Sequence, residues 1–219
     1  MRTKTLHILA LCGIAGPILF TLVLLSLGLL AAPYNHVTQY MSELGATGAP
    51  FALAMNLVGF IALGCCIILS ALGLHQVINK GNGSKGEPAL LVFSGIGFIM
   101  TGIFPCDPDC ITVSLIGILH GYAALLAQMA LILAILPFAF RVKNVKGWGN
   151  YTQFSLAMFF LSLLLAALYK SFLFEEQTGL FQRLSFGMPL LWLEIIMIHL
   201  FRQISRYSRE INPADIREN

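Results

Sequence analysis

The sequence predicts an all-α integral membrane protein, a single bundle of six transmembrane helices with both termini in the cytoplasm. Of its 219 residues, 58% are hydrophobic and only 11% are charged, and the mean hydropathy is +0.82. A water-soluble domain of this length cannot bury so much apolar surface. The apolar residues are also grouped into long uncharged runs, which is typical of membrane-spanning helices.

The runs have the length that a membrane crossing requires. A helix needs about 20 residues to cross a hydrocarbon core about 30 Å thick. Runs of this kind lie at residues 6–31, 50–74, 88–104, 114–140, 151–169 and 184–201. We interpret residues 1–205 as one transmembrane domain and residues 206–219 as a polar cytoplasmic tail. The first run is longer than a signal-peptide core and is followed by Pro33, which favours a retained anchor.

Lysine and arginine positions predict the orientation, because cationic connections stay on the cytoplasmic side. With six spans, all but two of the 13 cations share one side, namely Arg2, Lys4, Lys80, Lys85, Arg141, Lys143, Lys146, Arg202, Arg206, Arg209 and Arg217. Only Lys170 and Arg183 fall on the other side. We therefore expect an N-in, C-in protein of a cell membrane, with the bacterial inner membrane as its location. The net charge of +3 follows from this topology and gives no reason to expect a nucleic-acid partner.

The connections on the two sides differ in composition. The cytoplasmic connections at residues 79–86 and 146–150 are basic and rich in glycine, which predicts short solvated loops. The outer connections at residues 33–50, 105–113 and 170–183 mix polar side chains with aromatic ones. We expect any functional site to lie on the outer face.

Short motifs follow one another in these outer connections. Residues 42–50 read Ser-Glu-Leu-Gly-Ala-Thr-Gly-Ala-Pro and precede Asn56, residues 104–107 read Phe-Pro-Cys-Asp, His120 lies within the fourth span, and residues 179–183 read Gly-Leu-Phe-Gln-Arg. In this order the motifs resemble the bacterial and archaeal domain-of-unknown-function family 998 over nearly the whole chain. The Ser-Glu-Leu-Gly-Ala segment also resembles, to a lesser degree, the Ile-Ser-Asp-x-Gly segment of eukaryotic damage-regulated autophagy modulator and GPI-remodelling membrane proteins. This resemblance implies a six-helix fold and a role in lipid handling, and it supplies no reaction.

Three outer residues are candidates for acid–base catalysis: Glu43, Asp107 and His120. His120 lies about 9 Å inside the fourth span, so its ring should face the bundle. An imidazole beside a carboxylate could act as a general base near neutral pH. The alternatives are structural: Glu43 and Ser42 as helix caps, Asp107 with Asp109 as a turn or a cation ligand, and His120 as a packed side chain.

Six further residues are candidates for binding a ligand: Ser42, Asn56, Lys170, Gln182, Arg183 and Glu194. The guanidinium of Arg183 could grip an anionic headgroup with two hydrogen bonds. Lys170 could instead extend to the membrane surface, and Asn56 could bond a neighbouring helix. Glu194 lies in the interior of the sixth apolar run, where a carboxylate pairs with a cation or lines a pathway.

Unpaired polar groups cost several kcal/mol in hydrocarbon, so the outer polar residues should group together. We expect Glu43, Asp107, His120 and Arg183 to contribute to one polar pocket. In an oxidising periplasm Cys106 and Cys110 should form a disulfide, because a turn can bring them together. No cofactor and no metal are expected, since nucleotide motifs are missing and only His36 and His120 are outer histidines; zinc on these two and a carboxylate is the alternative.

These features favour a membrane protein that binds or handles lipids through a polar pocket on its outer face. The alternative is a membrane-embedded enzyme that modifies a lipid or a lipid-linked substrate at the outer leaflet. The expected partners are membrane lipids, with a membrane-protein partner or a second copy of the chain as further possibilities.

Overall fold

Six apolar runs of the sequence fold as six long helices in the computed structural model, which describes residues 3–78, 85–171 and 176–211, with side chains to residue 208. The helices are α1 (Thr3–Leu30), α2 (Ala52–Val77), α3 (Gly86–Ile103), α4 (Leu115–Val142), α5 (Gly149–Lys170) and α6 (Thr178–Ile211). Each is long and apolar enough to cross a membrane. The predicted all-α architecture of six spanning helices is confirmed.

The helices extend beyond the predicted spans mainly at their polar ends. Helix α6 begins at Thr178, so Gln182 and Arg183 lie inside it and not in the loop before it. It also continues to Ile211, which makes the first part of the predicted tail helical. Hydropathy marks only the segment that crosses hydrocarbon, whereas a helix can continue into the interface. The structure does not describe residues 1–2, 79–84, 172–175 and 212–219, which include the predicted cytoplasmic cations Lys80 and Arg217.

The six helices are arranged in a closed ring. Each helix packs against its neighbours in sequence, and α6 returns to pack against α1. Small residues allow close contacts within this ring: a Cβ atom on Gly95 of α3 would lie 2.6 Å from the carbonyl oxygen of Gly64 on α2. On the next interface, a Cβ on Gly97 would lie 2.8 Å from the Cα of Ala127 on α4. These glycines therefore set the spacing of α3 from its two neighbours.

The connection between α4 and α5 is partly buried, so the expectation of a fully solvated loop there is wrong for Trp148. Its side chain is 1% exposed, and its ring packs edge-on against Phe138, with ring centroids 5.7 Å apart. The indole Nε1 donates a hydrogen bond of 2.8 Å to Oε1 of Gln203 on α6. A tryptophan can be buried in a polar connection when its N–H has such an acceptor.

A buried ion pair joins α3 and α4 at the same end of the bundle. Glu87 is 0% exposed and Arg141 is 2% exposed, and their side chains form a salt bridge. The guanidinium also donates to the backbone carbonyl of Ile78, just after α2. Arg141 was expected among the loop cations, but it lies within α4. Removing one partner of such a pair typically costs 3–5 kcal/mol, roughly, because the other charge stays buried.

Labelling tests the predicted orientation. In a variant whose free cysteines Cys12, Cys65 and Cys66 are replaced by serine, a Thr47→Cys substitution should react with a membrane-impermeant maleimide on intact cells. A Lys146→Cys substitution should react only after permeabilisation, since it lies at the basic end. Labelling of both positions from the same side would contradict six spans, and labelling of Lys146→Cys alone would reverse the orientation.

Candidate functional site

Residues 31–51, called loop 1, organise one end of the bundle, which we call the outer end after the predicted orientation. Within loop 1, residues Met41–Gly45 form a short 3-10 helix. The Glu43 carboxylate accepts a 2.8 Å hydrogen bond from the backbone N–H of Tyr40 and a 2.6 Å hydrogen bond from Nε2 of Gln39. Both carboxylate oxygens therefore stabilise loop 1 itself.

Helix α6 holds loop 1 through its first turns. Oε1 of Gln182 accepts a 2.7 Å hydrogen bond from the backbone N–H of Met41. The Arg183 guanidinium donates to the backbone carbonyl of Gln39 at 2.9 Å and to the Tyr34 hydroxyl. That hydroxyl donates in turn to the carbonyl of Tyr40 at 2.9 Å. Gln182 and Arg183 thus satisfy loop 1 backbone groups that would otherwise lack partners.

Helix α2 and the second outer connection also hold loop 1. Asn56 lies where residues Met55–Ile61 wind as a π-helix, and its Nδ2 donates a 2.9 Å hydrogen bond to the carbonyl of Gly45. A side chain at Gly45 would strike the Asn56 amide. The backbone N–H of Thr47 donates to the carbonyl of Cys106 at 2.9 Å. Loop 1 is therefore fixed at both ends of its short helix.

Residues 104–114, called loop 2, are closed by a disulfide between Cys106 and Cys110, whose Cα atoms are 5.2 Å apart. The Asp107 carboxylate accepts three hydrogen bonds at the start of α4: from Oγ of Ser114 at 2.7 Å and from the backbone N–H groups of Val113 and Ser114 at 2.9 Å. The Ser114 hydroxyl, followed by these two N–H groups, holds the pKa of Asp107 below its ordinary value. Asp107 therefore fixes the first turn of α4.

Burial moves the pKa values of the aromatic and imidazole groups of loop 1 in the direction that favours their neutral forms. Burial raises the pKa of Tyr34 and, together with Glu43, that of Tyr40. Burial and the neighbouring Arg183 lower the pKa of His36. Arg183 thus acts on loop 1 through its charge as well as through its hydrogen bonds.

A cavity of about 200 Å³ lies under loops 1 and 2, between the outer ends of α4, α5 and α6. We call it the outer cavity. Its polar lining comes from Tyr40, Ser42, Asp107, Thr112, His120, Gln128, Tyr169, Lys170 and Gln182, and its apolar lining includes Ala124, Leu125 and Phe186. The cavity is open on one side, so a ligand of mixed polarity could enter it from the membrane interface.

His120 presents a hydrogen-bond acceptor to this cavity. The ring is 6% exposed, and its Nδ1 lies 2.7 Å from the carbonyl oxygen of Phe104 and 3.2 Å from that of Thr101. Carbonyl oxygens only accept, so Nδ1 carries the proton and the neutral ring has its lone pair on Nε2. Among the described residues, Nε2 has no hydrogen-bond partner.

Two more cavity groups keep free polar atoms. Lys170 is exposed at the cavity rim, where its Nζ lies 4.5 Å from the centre of the Tyr169 ring. No carboxylate within the described ranges pairs with Lys170. The side chains that form an ion pair there are those of Glu87 and Arg141. The buried Ser42 contributes a hydroxyl that makes no hydrogen bond with any described residue. The cavity thus combines one cation with two unused acceptors.

The candidate residues are distributed over different places. Ser42, Asp107, His120, Lys170 and Gln182 line the outer cavity. Glu43 lines a second cavity of about 280 Å³ on the other side of loop 1, together with Asp109. Neither cavity lining includes Asn56, Arg183 or Glu194. Glu194 is half-buried in α6 and makes no hydrogen bond in the described part of the chain.

Several groups of the outer cavity were not among the predicted site residues. Tyr40 and Tyr169 pack edge to face with ring centroids 6.5 Å apart and form part of its wall. Gln128 donates through Nε2 to the hydroxyl of Ser185 at the cavity's deep end. Gln128 lies two helical turns beyond His120, on the same face of α4, so helical spacing from His120 was the available signal.

The fold and the site together define a multi-pass membrane bundle with a polar cavity at one end. The chain matches the family described as "Protein of unknown function (DUF998)" over residues 14–199, and it belongs to that family. No curated protein and no solved structure matches it.

The role of Asp107 can be tested through pH. The bonded carboxylate has a lowered pKa, so its stabilisation is present above the ordinary value of 3.8 and is lost as the pH falls through its folded-state pKa. Asp107→Asn should therefore lower the thermal unfolding midpoint near neutral pH, and the difference from the wild type should shrink below pH 3.8. Asp109→Asn is the matched control, since that carboxylate makes no hydrogen bond with described residues. Equal effects of the two variants would contradict the assignment.

Proposed function

We propose that this protein binds a membrane lipid by its headgroup in the outer cavity. The observation that supports the proposal is the combination of free groups there: the Lys170 cation, His120 Nε2 and the Ser42 hydroxyl above a wall of Leu125 and Phe186. A headgroup needs polar partners, whereas its acyl chains need an apolar surface. The cavity lies at the end of spanning helices, where the two kinds of surface meet.

The absence of a carboxylate on the His120 ring among the described residues supports binding ahead of catalysis. The predicted acid–base pair combines an imidazole with a carboxylate, although a backbone carbonyl can also orient an imidazole. Here the Nδ1 of His120 faces two backbone carbonyls, and the Asp107 carboxylate is engaged by Val113 and Ser114. Glu43 lines the other cavity.

The alternative function is an enzyme that modifies a lipid or lipid-linked substrate at the outer leaflet. It is supported by the presence of Ser42 and His120 in one cavity, where a hydroxyl and an unprotonated imidazole nitrogen could serve as nucleophile and base. Under this alternative, Ser42→Ala would abolish turnover of a lipid substrate while leaving its binding intact. We likewise propose that the protein lies in the bacterial inner membrane. Its further partners would be another membrane protein or a second copy of the chain.

Filling the cavity tests the proposed binding. A Cβ atom at Gly121, which lines the cavity, would meet no heavy atom within 4 Å, so Gly121→Leu should fold and fill the entrance. The replacement also favours a helix. Native mass spectrometry of protein extracted from its membrane should show retained lipid reduced by about tenfold, or about 1.4 kcal/mol.

Gly187→Leu is the matched control. Gly187 on α6 also has open space around its Cβ position, but it does not line the outer cavity. This variant should retain lipid as the wild type does. Equal retention by Gly121→Leu and the wild type would contradict the proposal.

A further inference from the structure

We infer that the headgroup bound in the outer cavity is a polyol phosphate, an anionic phosphate ester that also carries a free hydroxyl. The inference rests on the proposed function and specifies the ligand class of the same cavity. It follows from the charge of the lining groups and from the direction of their hydrogen bonds.

The charge of the lining favours an anion. Lys170 is the cavity cation and has no carboxylate partner within the described residues. The one carboxylate in the lining, Asp107, already accepts hydrogen bonds from Ser114 and Val113 at the N-terminus of α4. Its charge is therefore partly offset by the helix terminus, which is equivalent to about half a positive charge. A phosphate can pair with the Lys170 ammonium at the cavity rim, where water screens it only partly.

The hydrogen bonds require a donor on the ligand as well. Because Nδ1 of His120 donates to the carbonyls of Thr101 and Phe104, Nε2 of the neutral ring can only accept. The Ser42 hydroxyl in the same cavity can accept and donate. A phosphate diester has only acceptors, and a trimethylammonium group has no N–H or O–H. A hydroxyl supplies the missing donor.

A primary ammonium group would also supply a donor, but it would bring a second cation into the cavity. Balancing that charge would require the Asp107 carboxylate, which already accepts three hydrogen bonds and keeps about one free acceptor site. A neutral hydroxyl carries no such requirement, because a neutral donor satisfies Nε2 without a counter-ion. The geometry therefore favours a hydroxyl over an ammonium group.

Lipids of matched charge separate the two recognition elements. Purified wild-type protein in detergent would be titrated with phosphatidylglycerol, phosphatidylmethanol, phosphatidylethanolamine and phosphatidylcholine that share the same acyl chains. Phosphatidylmethanol keeps the negative phosphate but lacks the hydroxyl. Retention measured by native mass spectrometry should be highest for phosphatidylglycerol, about threefold to tenfold above phosphatidylmethanol, as expected for one hydrogen bond. The two zwitterionic lipids should bind more weakly than either.

Variants assign the two preferences to their residues. Lys170→Gln should abolish the preference for anionic over zwitterionic lipids, whereas Lys143→Gln at the opposite end of the bundle should keep it. His120→Ala should abolish the preference for phosphatidylglycerol over phosphatidylmethanol while the preference for anionic lipids remains. Ser42→Ala should reduce the hydroxyl preference without a risk to folding, because that hydroxyl makes no hydrogen bond with described residues.

The outcomes distinguish this inference from the proposed function. Equal retention of phosphatidylglycerol and phosphatidylmethanol, or tighter retention of phosphatidylethanolamine, would overturn the polyol phosphate while lipid binding stands. Failure to retain any of the four lipids would overturn both. Soluble glycerol phosphate is the last comparison: if it displaces phosphatidylglycerol at equal concentration, the ligand class stands but a lipid as its source does not.

Discussion

The outer end of this protein depends on one constraint: the backbone of loop 1 must find hydrogen-bond partners where the chain leaves the membrane. Buried backbone groups that lack partners cost free energy comparable to a lost hydrogen bond, and water is scarce beside hydrocarbon. Side chains from three directions meet this requirement, namely Asn56 of α2, Gln182 and Arg183 of α6, and Glu43 of loop 1 itself. Loop 1, held in this way, contributes Tyr40 and Ser42 to the lining of the outer cavity.

Some outer polar residues bond the backbone of loop 1, and others line the outer cavity. Motif residues that look alike in the sequence therefore have different surroundings. Glu43 and Arg183 are charged and outer, but their hydrogen bonds end on loop 1 and, for Arg183, also on the Gly179 carbonyl of its own helix. Lys170 and His120 keep atoms that no described residue uses, and both line the cavity. A polar residue at a membrane boundary can therefore be needed for the shape of a site without contacting its ligand. The proposed lipid chemistry rests on the second group.

Hydropathy was sufficient to predict the six helices, because burial in hydrocarbon selects long apolar runs directly. The depth of His120 in its span was likewise enough to predict an inward ring. The partners of polar residues could not be predicted, since they depend on which helices become neighbours in the ring. Arg141 and Glu87 are 54 residues apart and pair only because α4 packs on α3. Hydropathy also did not predict where the helices begin. Helix α6 begins in a polar segment, so Gln182 and Arg183 lie on a helix.

Hydrogen exchange of loop 1 in an Arg183→Lys variant measures whether the Arg183 guanidinium holds loop 1 in place. Lysine keeps the charge but cannot bridge the Gln39 carbonyl and the Tyr34 hydroxyl with a planar group. Amides of residues 37–44 should exchange about tenfold faster, as expected for the loss of about 1.5 kcal/mol of local stability, while the buried parts of α3 and α4 should stay protected. Arg202→Lys, an exposed position on the same helix, should leave loop 1 unchanged. Unchanged exchange in loop 1 of Arg183→Lys, or faster exchange throughout the bundle, would contradict the central role of loop 1.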